Sequence, residues 1–448
     1  MTSHMIHRQA ASTLPEIVSG RGIELIDSAG KTYLDACGGA AVSCLGHGHP
    51  AITASLAAQA HKIAYAHTSF FTNRPAEALA DCLAAAAPGD LDHVYFAGSG
   101  SEAVEAALKM ARQYHVENGQ ASRTHVISRR LSYHGNTLGA LSVSGNPFRR
   151  APYEPLLFPA TFIDACHAYR NALPGETPEA YGVRTASLLE AAILRHEPRT
   201  VMAFIAETVV GATGGAIPPA PGYFSEIRRI CDRYGVLLVL DEVMCGAGRA
   251  GTFLSCQQDG VVPDIVTLAK GLGAGYQPIG ATLCTRRIYN ATTGGSGAFH
   301  HGQTYSAHAI CCAAALAVQD VVSNENLLAR VATAGHYLRG RLAERFADHE
   351  AVGDIRGRGL LQAIEFVSDR TTKRPFRAQL GLAARIKAEA FSRGLLIYPG
   401  PAAADGTTGD HVLLAPPYIT TDAELDRIVD LLGAATDAAL ASIRTLAA

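Results

Sequence analysis

The sequence predicts an α/β fold, with a large domain built on a mostly parallel sheet and a smaller α+β domain formed by both ends of the chain. From about residue 50 to residue 325, short apolar segments of strand length alternate with longer helical segments, which is typical of a parallel sheet covered by helices. After that point, long helices surround a strand-rich piece at 353–367. We expect residues 1–55 to belong to the small domain, 56–325 to form the large domain and 326–448 to complete the small domain.

The individual elements follow in chain order. Residues 21–35 predict a hairpin, because two apolar runs flank the turn residues 27–30. The strands predicted after it are 93–97, 124–128, 201–205, 236–240, 265–268, 279–284 and 395–398. The predicted helices are 102–115, 221–234, 307–323, 327–349, 378–393 and 422–440.

Composition excludes several classes of protein. The 448 residues carry 38 Lys and Arg against 40 Asp and Glu, and 48% of them are hydrophobic. Such a chain is globular, and it lacks the basic stripe expected of a nucleic-acid or anionic-membrane partner. No apolar run approaches the roughly 18 residues that a membrane span needs, and the first ten residues lack the hydrophobic core of an export signal. We expect a cytoplasmic protein without a nucleic-acid or membrane partner.

The cysteines and histidines predict no metal site. The ten cysteines form no CxxC pair, which favours small buried hydrophobes in a reducing compartment. The densest histidines lie in GHGHP at 46–50 and FHHG at 299–302. Neither group has cysteine or carboxylate companions at the spacing that a zinc site uses.

A strand-to-helix turn at 96–103, FAGSGSEA, is the first candidate binding site. Backbone N–H groups at a helix start, the helix dipole and the hydroxyl of Ser101 would together favour a phosphate. The same residues fit an ordinary turn in which Ser101 caps the helix. Because the turn matches neither GxGxxG nor the P-loop pattern, taken by itself it favours the ordinary role.

An acidic residue follows the next distinctive strand. The apolar segment 236–240 leads directly into Asp241, which places that carboxylate at the edge where α/β proteins bind ligands. An acid there can bind Mg²⁺, cap a helix or pair with a cationic ring nitrogen. The metal alternative requires a P-loop type of phosphate loop, and the sequence has none.

A lysine follows a third apolar strand. Lys270 comes two residues after the segment 265–268 and precedes the glycine-rich run GLGAG. A lysine at such a place is either a solvated loop charge or an amine held in a site, where burial lowers its pKa and permits a Schiff base with a carbonyl. A phosphate turn, a carboxylate for a ring nitrogen and a Schiff-base lysine are together the parts of a pyridoxal phosphate site.

With these residues in order, the sequence resembles the class III, or omega-type, aminotransferases, which are pyridoxal-phosphate enzymes of fold type I. The resemblance runs from YLD at 33–35 through GHGHP at 46–50 to PP at 416–417. Its most specific part lies within 237–281, with LLVLDEVMCGAGRAGTF followed by PDIVTLAKGLGAGYQPIGA. Asp241 and Lys270 stand 29 positions apart (270 − 241), close to the family pattern.

The resemblance implies a role for each matching residue. Lys270 would form the Schiff base with the cofactor and carry the proton during transfer, while Asp241 would keep the pyridine nitrogen protonated. Val243 and Tyr133 would pack on opposite faces of the ring. The other cofactor-binding residues implied are His134 and Gly135 beside Tyr133, Gly100 and Ser101 at the phosphate, and Glu207.

Thr304 carries a prediction about assembly. In the sequence HGQTY at 301–305, Thr304 matches a threonine that reaches the phosphate from the neighbouring subunit. The resemblance therefore implies a homodimer with shared active sites, and it leaves a tetramer of such dimers open.

Departures from the family pattern bear on the substrate. Two family arginine positions carry Tyr398 and Leu413 here, and Thr208 follows Glu207 where relatives often have proline. Without a guanidinium fork, selection for dicarboxylates such as 2-oxoglutarate weakens, which favours pyruvate. An arginine of the pair 149–150 could restore that contact. Phe70 and Phe71 fit a substrate wall or the core, and alanines at 40–41 fit a wider pocket.

The sequence thus predicts an aminotransferase that moves an amino group from an omega-amino acid or amine to a small 2-oxo acid by a ping-pong mechanism. A racemase, an aminomutase or a decarboxylase of the same fold would need the same lysine and aspartate, so the motifs leave these alternatives open. A non-catalytic regulator on this fold is a third alternative, but no DNA-binding segment is evident. We expect the segment RGRG at 356–359 to have a structural role.

Overall fold

The structure, a computed structural model, describes residues 4–8 and 14–447. The strands in this part of the chain are β1 (Ile17–Arg21), β2 (Glu24–Asp27), β3 (Thr32–Asp35), β4 (His93–Ala97), β5 (His125–Arg129), β6 (Thr161–Ile163), β7 (Val201–Glu207), β8 (Leu237–Asp241), β9 (Ile265–Leu268), β10 (Gly280–Cys284), β11 (Val352–Arg358), β12 (Leu361–Phe366), β13 (Leu395–Leu396), β14 (Tyr398–Gly400) and β15 (Asp410–Leu414). The helices are α1 (Gly38–Ala41), α2 (Pro50–Lys62), α3 (Arg74–Ala86), α4 (Gly100–Glu117), α5 (Leu138–Ser142), α6 (Pro147–Arg150), α7 (Ala168–Asn171), α8 (Pro178–Arg195), α9 (Tyr223–Tyr234), α10 (Arg286–Gly294), α11 (Ala309–Asn324), α12 (Leu327–Arg345), α13 (Leu382–Ser392) and α14 (Asp422–Ala447).

The centre of the molecule is a seven-stranded sheet in the order β4-β10-β9-β8-β7-β5-β6. Strand β10 is antiparallel to both of its neighbours, and the remaining pairs are parallel. Both faces of the sheet are covered, since Leu238 and Leu240 of β8 pack in one apolar cluster while Leu237 and Val239 pack in another. The predicted α/β fold with a mostly parallel sheet is confirmed.

The two ends of the chain meet in the smaller α+β part. Strand β3 pairs in parallel with β13, so that Leu395 lies opposite Leu34, and this sheet has the order β1-β2-β3-β13. A second, antiparallel sheet has the order β11-β12-β15-β14. The boundaries after residues 55 and 325 remain our proposal for the division of the chain.

Most predicted elements are present within two residues of their expected bounds, and four are corrected. The helix predicted over 422–440 continues to Ala447, because Leu440 and Ile443 still pack into the apolar core. The helix predicted over 327–349 ends at Arg345, because Phe346 packs into the apolar core that α12 covers. The helix predicted from residue 378 begins at Leu382, since Gly381 has a φ of +57° and separates it from a short 3₁₀ turn. The strand predicted over 395–398 is divided, because the chain passes there from the sheet of β13 to the sheet of β14.

Three further observations concern the predictions made from composition. None of the helices in the described residues is long and apolar enough to span a membrane. No group of three or more histidine, cysteine, aspartate or glutamate side chains gathers at a metal-binding distance in the same part of the chain. All ten cysteines are free thiols, and eight of them are buried.

Candidate functional site

Three ionisable side chains follow neighbouring parallel strands at one edge of the central sheet. Glu207 ends β7 and Asp241 ends β8, and the two residues lie directly opposite each other in the ladder. Lys270 follows β9, whose Thr267 pairs with Asp241. Because parallel strands end at the same edge, the sequence places two carboxylates and an amine together in the region where this type of sheet binds ligands.

Asp241 is buried and bonded on both of its oxygens. Its Oδ2 lies 2.7 Å from Nδ1 of His134, while its Oδ1 accepts hydrogen bonds from the backbone N–H of Val243 at 2.9 Å and the hydroxyl of Thr267 at 3.3 Å. The backbone N–H of His134 in turn donates to Ser144 Oγ at 2.8 Å. The carboxylate therefore has one orientation, and its contact with His134 is a pairing that the sequence did not predict.

Glu207 is a second buried carboxyl, only 4% exposed. Its Oε2 accepts the backbone N–H of Tyr133 at 3.2 Å, and its Oε1 accepts that of Gly211 at 2.9 Å. Burial raises the pKa of Glu207, and the nearby charge of Asp241 adds to the increase, although His134 opposes it. Glu207 thus connects the Tyr133 segment to the edge that carries Asp241.

Lys270 has unusual backbone and side-chain surroundings. Its φ of +45° lies in the left-handed region that L-residues seldom adopt, and such backbone strain concentrates at functional positions. Burial lowers the pKa of the Lys270 amine below its ordinary value of 10.5, while the charges of Asp241 and Glu207 raise it in part. The amine therefore lies in a desolvated environment near two carboxyls, which a solvated loop charge would not.

The turn between β4 and α4 is capped by a different serine from the one that we expected. Ser99 caps α4, because its side chain accepts the backbone N–H of Glu102 at 3.2 Å. The expectation that Ser101 could be the capping residue is wrong, since Ser101 lies inside the first turn of the helix. Its Oγ instead accepts the backbone N–H of Asn136 at 3.2 Å. The Ser101 hydroxyl therefore lies between the start of α4 and the segment that follows Tyr133.

Two glycines allow close approach at this turn. A Cβ added to Gly100 would lie 2.8 Å from Cγ1 of Val243, and a Cβ added to Gly135 would lie 2.6 Å from Oγ of Ser101. Gly135 also has a φ of +135°, which L side chains rarely adopt. The helix start, the Asp241 loop and the Tyr133 segment therefore pack so closely that a side chain at either glycine would push them apart.

Thr304 lies apart from this group within the chain. It is exposed, and its carbonyl accepts a hydrogen bond from the hydroxyl of Tyr65 at 3.0 Å. The adjacent Tyr305 is 67% exposed, and elsewhere in the chain Phe70 is 79% exposed and Phe71 is 66% exposed. The alternative that Phe70 and Phe71 are core residues is thus wrong, while the role of Thr304 toward a neighbouring subunit stays a prediction.

The structure also places the residues predicted to bear on substrate choice. Leu413 is fully buried in an apolar cluster that includes Ala41, and Tyr398 packs against the same cluster. Position 413 is therefore a core position in this chain. The guanidinium of Arg150 donates to the carbonyls of Leu141, Ser142 and Ser144 and forms an ion pair with Glu154.

Arg356 and Arg358 have the structural role that we predicted. Arg356 is buried and bonds Glu365 at 2.6 Å, together with the carbonyls of Gly214 and Gly215. Arg358 forms a bidentate pair with Asp259 at 2.7 and 2.8 Å. Both arginines therefore connect β11 to distant loops of the chain, at 214–215 and at Asp259.

Two buried charged residues that hydrogen-bond the segments carrying Glu207 and Asp241 were not identified from the sequence. Arg129, at the end of β5, is buried and donates from its guanidinium to the carbonyl of Glu207. Glu242 is fully buried and accepts the hydroxyl of Thr208 at 2.6 Å and the backbone N–H groups of Ser255 and Cys256 at 2.8 and 2.9 Å. A charged residue at the end of an apolar strand, which identified Asp241, is the signal that could have identified Arg129.

The residues present fit pyridoxal phosphate. The closely packed turn at Gly100 and Gly135 lies at a helix start that offers N–H groups and the Ser101 hydroxyl to an anion. A buried carboxylate with one fixed orientation, Asp241, suits a cationic ring nitrogen. An amine with a lowered pKa, Lys270, suits an aldehyde.

Comparisons with known proteins agree with this set of residues. Residues 5–436 match the sequence profile of the family described as aminotransferase class III. An uncharacterized aminotransferase of Schizosaccharomyces pombe is 44% identical over 430 residues, which cover 96% of this chain and 94% of that protein. A diaminobutyrate–2-oxoglutarate transaminase of Halomonas elongata is 35% identical over 92% of this chain and 88% of its own length. A solved structure of the omega transaminase from Pseudomonas jessenii in complex with PMP has a TM-score of 0.92 and 32% identity, covering 99% of this chain and 97% of that one.

Proposed function

Because the chain belongs to the class III aminotransferase family and has the pyridoxal-phosphate fold type I, we propose that it transfers an amino group from an omega-amino acid or amine to a small 2-oxo acid, with pyruvate as the preferred acceptor. The reaction proceeds by a ping-pong mechanism in which the donor product leaves before the acceptor binds. The omega transaminase of Pseudomonas jessenii, which shares this fold, supports the donor class.

One observation carries the proposal. The Lys270 amine lies at the sheet edge beside the buried carboxyls of Asp241 and Glu207, and burial lowers its pKa. A lowered pKa increases the fraction of neutral amine near neutral pH, and only the neutral amine can attack a carbonyl or accept a proton. Nζ of Lys270 is therefore the atom that holds and returns the proton removed from the substrate.

The cofactor supplies the electronic part of the chemistry: when bound, pyridoxal phosphate offers an aldehyde for amines and a ring that accepts electrons from the reacting carbon. Gly100 and Ser101 at the start of α4 would hold its phosphate. Asp241 would keep the ring nitrogen protonated. Val243 and Tyr133 would contact the two faces of the ring.

His134 and Glu207 complete this arrangement. His134 fixes the orientation of Asp241 through the 2.7 Å contact between Nδ1 and Oδ2. Glu207 holds the backbone of Tyr133 and Gly211 through its two carboxyl oxygens. His134 and Glu207 therefore fix the positions of Asp241 and Tyr133, which would contact the cofactor. Gly135 follows His134 and has no side chain that could obstruct them.

The acceptor proposal rests on what replaces two family arginines. Position 413 is a buried leucine and position 398 is a tyrosine packed on the same cluster, so neither position offers a guanidinium to a dicarboxylate. Pyruvate, with a single carboxylate, has less need of such a group. The Halomonas elongata relative is named for 2-oxoglutarate, which makes the comparison of these two acceptors the decisive one.

Assembly and location are also proposed. We propose a homodimer in which Thr304 of one subunit reaches the phosphate of the other site, supported by the exposure of Thr304 and of the adjacent Tyr305. Replacement of Thr304 by valine should then weaken pyridoxal phosphate binding, while Thr293→Val, on the exposed surface of α10, should not. Ten unpaired cysteines support a reducing compartment, the cytoplasm.

The experiment that tests the function compares two lysine variants of the loaded enzyme. Purified protein is assayed with a panel of amine donors, with pyruvate and 2-oxoglutarate as separate acceptors. Lys270→Ala should lose activity by at least a thousandfold, whereas Lys387→Ala, an exposed lysine on α13, should retain it. Wild-type turnover by Lys270→Ala would contradict the role of Lys270, and turnover with 2-oxoglutarate but not pyruvate would contradict the acceptor.

A further inference from the structure

One arginine beside the candidate site has no acidic partner. Arg149 lies in the short helix α6 with an exposed side chain, and its guanidinium carbon is 4.6 Å from the centre of the Tyr133 ring. Its backbone N–H donates to Asn146 Oδ1 at 3.2 Å. Within residues 4–8 and 14–447, no carboxylate pairs with its guanidinium and no oxygen accepts a hydrogen bond from it. Its N–H groups are therefore available to a ligand.

The neighbouring arginines are engaged in the protein itself. Arg150 donates to three backbone carbonyls and pairs with Glu154 at 3.0 Å. Arg130 forms an ion pair with Asp164, and it lines the same cavity as Arg150. Of these three cations at the same surface, Arg149 is the one whose charge is not already matched.

Arg149 lies beside a residue that is hydrogen-bonded to the carboxyl group of Glu207, near Lys270. The ring that Arg149 contacts belongs to Tyr133, whose backbone N–H donates to Glu207. Glu207 is one of the two carboxyls whose charge acts on Lys270. Since Tyr133 and Glu207 stand between Arg149 and Lys270 in this series of contacts, a donor that placed its amine at Lys270 and a second group at Arg149 would need several carbons between its two ends.

We propose that Arg149 binds the distal carboxylate of an omega-amino acid donor. A guanidinium binds a carboxylate through two parallel N–H groups, and the face of an aromatic ring supports the guanidinium by a cation–π contact. Tyr133 thus holds the cation in place before the substrate arrives. The inference rests on the proposed transaminase function. It identifies the residue that would bind the end of the donor opposite the amino group.

The test uses donors that differ only at the distal end. The loaded enzyme is mixed with 6-aminohexanoate or hexylamine without acceptor, and the carbonyl product per active site is followed in time. The same comparison is made with 4-aminobutyrate and butylamine. Arg149→Gln should lower the rate constant divided by the half-saturating concentration at least tenfold for the carboxylated donors and less than twofold for the alkylamines. Arg149→Lys should fall between the two, because it keeps the charge and loses the fork.

The matched control is Arg130→Gln, which removes the same charge from the same surface. Its rates with all four donors should stay within twofold of wild type. Equal losses with both donor types in Arg149→Gln would overturn the proposal, since they would mean that Arg149 only supports Tyr133. Wild-type protein that used alkylamines but neither carboxylated donor would overturn it as well. Failure of the proposed function gives a different result, because no donor would then yield a carbonyl product.

Discussion

Nδ1 of His134 lies 2.7 Å from Oδ2 of Asp241, and the two side chains are 0% and 3% exposed. An ionised carboxylate can only accept hydrogen bonds, so the proton of this contact is on the histidine when Asp241 is charged. The contact joins two residues 107 positions apart in sequence. It fixes the carboxylate that we propose as the partner of the cofactor's ring nitrogen.

Replacing His134 by phenylalanine should lower kcat while leaving the fold intact. Hydrogen bonds to charged groups contribute about 1.5–3 kcal/mol, which corresponds to roughly a tenfold to hundredfold loss in rate. The control is His125→Phe, a half-buried histidine at the start of β5. Steady-state kinetics and the thermal midpoint of both variants check the prediction, and wild-type kcat in His134→Phe would contradict it.

The lowered pKa of Lys270 predicts how the apoenzyme takes up its cofactor. An ordinary lysine has a pKa near 10.5, so its neutral fraction rises tenfold per pH unit up to about pH 10. Since burial lowers the pKa of Lys270, the rate of covalent attachment of pyridoxal phosphate should level off below that pH. Stopped-flow absorbance of the apoenzyme between pH 6 and pH 10 measures it, with Nα-acetyl-lysine as the reference amine.

The effect of the Glu207 charge on the pKa of Lys270 can be tested in the same experiment. Glu207 raises the pKa of Lys270, so Glu207→Gln should shift the plateau to lower pH. A rate that still climbs tenfold per unit through pH 10 in the wild-type protein would contradict the buried amine.

Gly100 should not tolerate a side chain. Gly100→Ala places a methyl group 2.8 Å from Cγ1 of Val243, so the helix start or the valine must move. We expect pyridoxal phosphate to bind at least tenfold more weakly, as measured by equilibrium titration of the apoenzyme. Gly340→Ala, in the middle of α12 with open space around it, is the control, and its stability should rise by up to about 1 kcal/mol. Equal cofactor affinity in the two variants would refute the close approach.

The buried carboxyl of Glu365 should contribute to the loss of folding stability at acid pH. Although burial raises its pKa, the hydrogen bond from His167 and the charges of Arg356 and Arg170 hold the pKa of Glu365 well below its ordinary value. A carboxyl with a lowered folded-state pKa contributes stability above its unfolded value, near 4.5, and loses that contribution as the pH falls toward the folded value.

Glu365→Gln should therefore lower the thermal midpoint at pH 7 by on the order of 5 °C, because the partly buried Arg170 loses its carboxylate partner and the buried Arg356 keeps only Asp354. The difference from wild type should narrow as the pH drops below about 4.5. Glu350→Gln, which removes a 90% exposed carboxylate, should leave the midpoint unchanged. A difference in midpoint that is constant from pH 7 to pH 4 would show that the charge of Glu365 is not the cause.

Local sequence patterns were sufficient to predict the strands of the central sheet and the charged residues at its edge. The strands that precede Asp241 and Lys270 are short, apolar and bounded by glycines, so their ends could be predicted within two residues. Parallel strands end at one edge, and this rule alone brings the two side chains together. The family resemblance then pointed to His134, Glu207 and the phosphate turn.

The remaining features depend on contacts between distant segments. Ser99 and Ser101 are both suitable caps in the sequence, and only the path of the chain near Asn136 selects Ser99 and leaves the Ser101 hydroxyl for another partner. Leu413 matched a family arginine position, yet the packing of β15 against its neighbours makes that position part of the core. The sequence suggested that Arg149 or Arg150 could bind a substrate carboxylate. Only the hydrogen bonds of the folded chain show that Arg150 is already engaged by backbone carbonyls, whereas Arg149 contacts the Tyr133 ring.

The most direct measurement of the central claim is the stoichiometry of a half-reaction. Loaded wild-type enzyme is mixed with an amine donor alone, the carbonyl product is counted, the donor is removed and pyruvate is added. The account predicts one carbonyl product per Lys270 site in the first step and one alanine per site in the second. Continued turnover without an acceptor, or release of carbon dioxide or a rearranged amino acid in the first step, would contradict it and would support a racemase, aminomutase or decarboxylase.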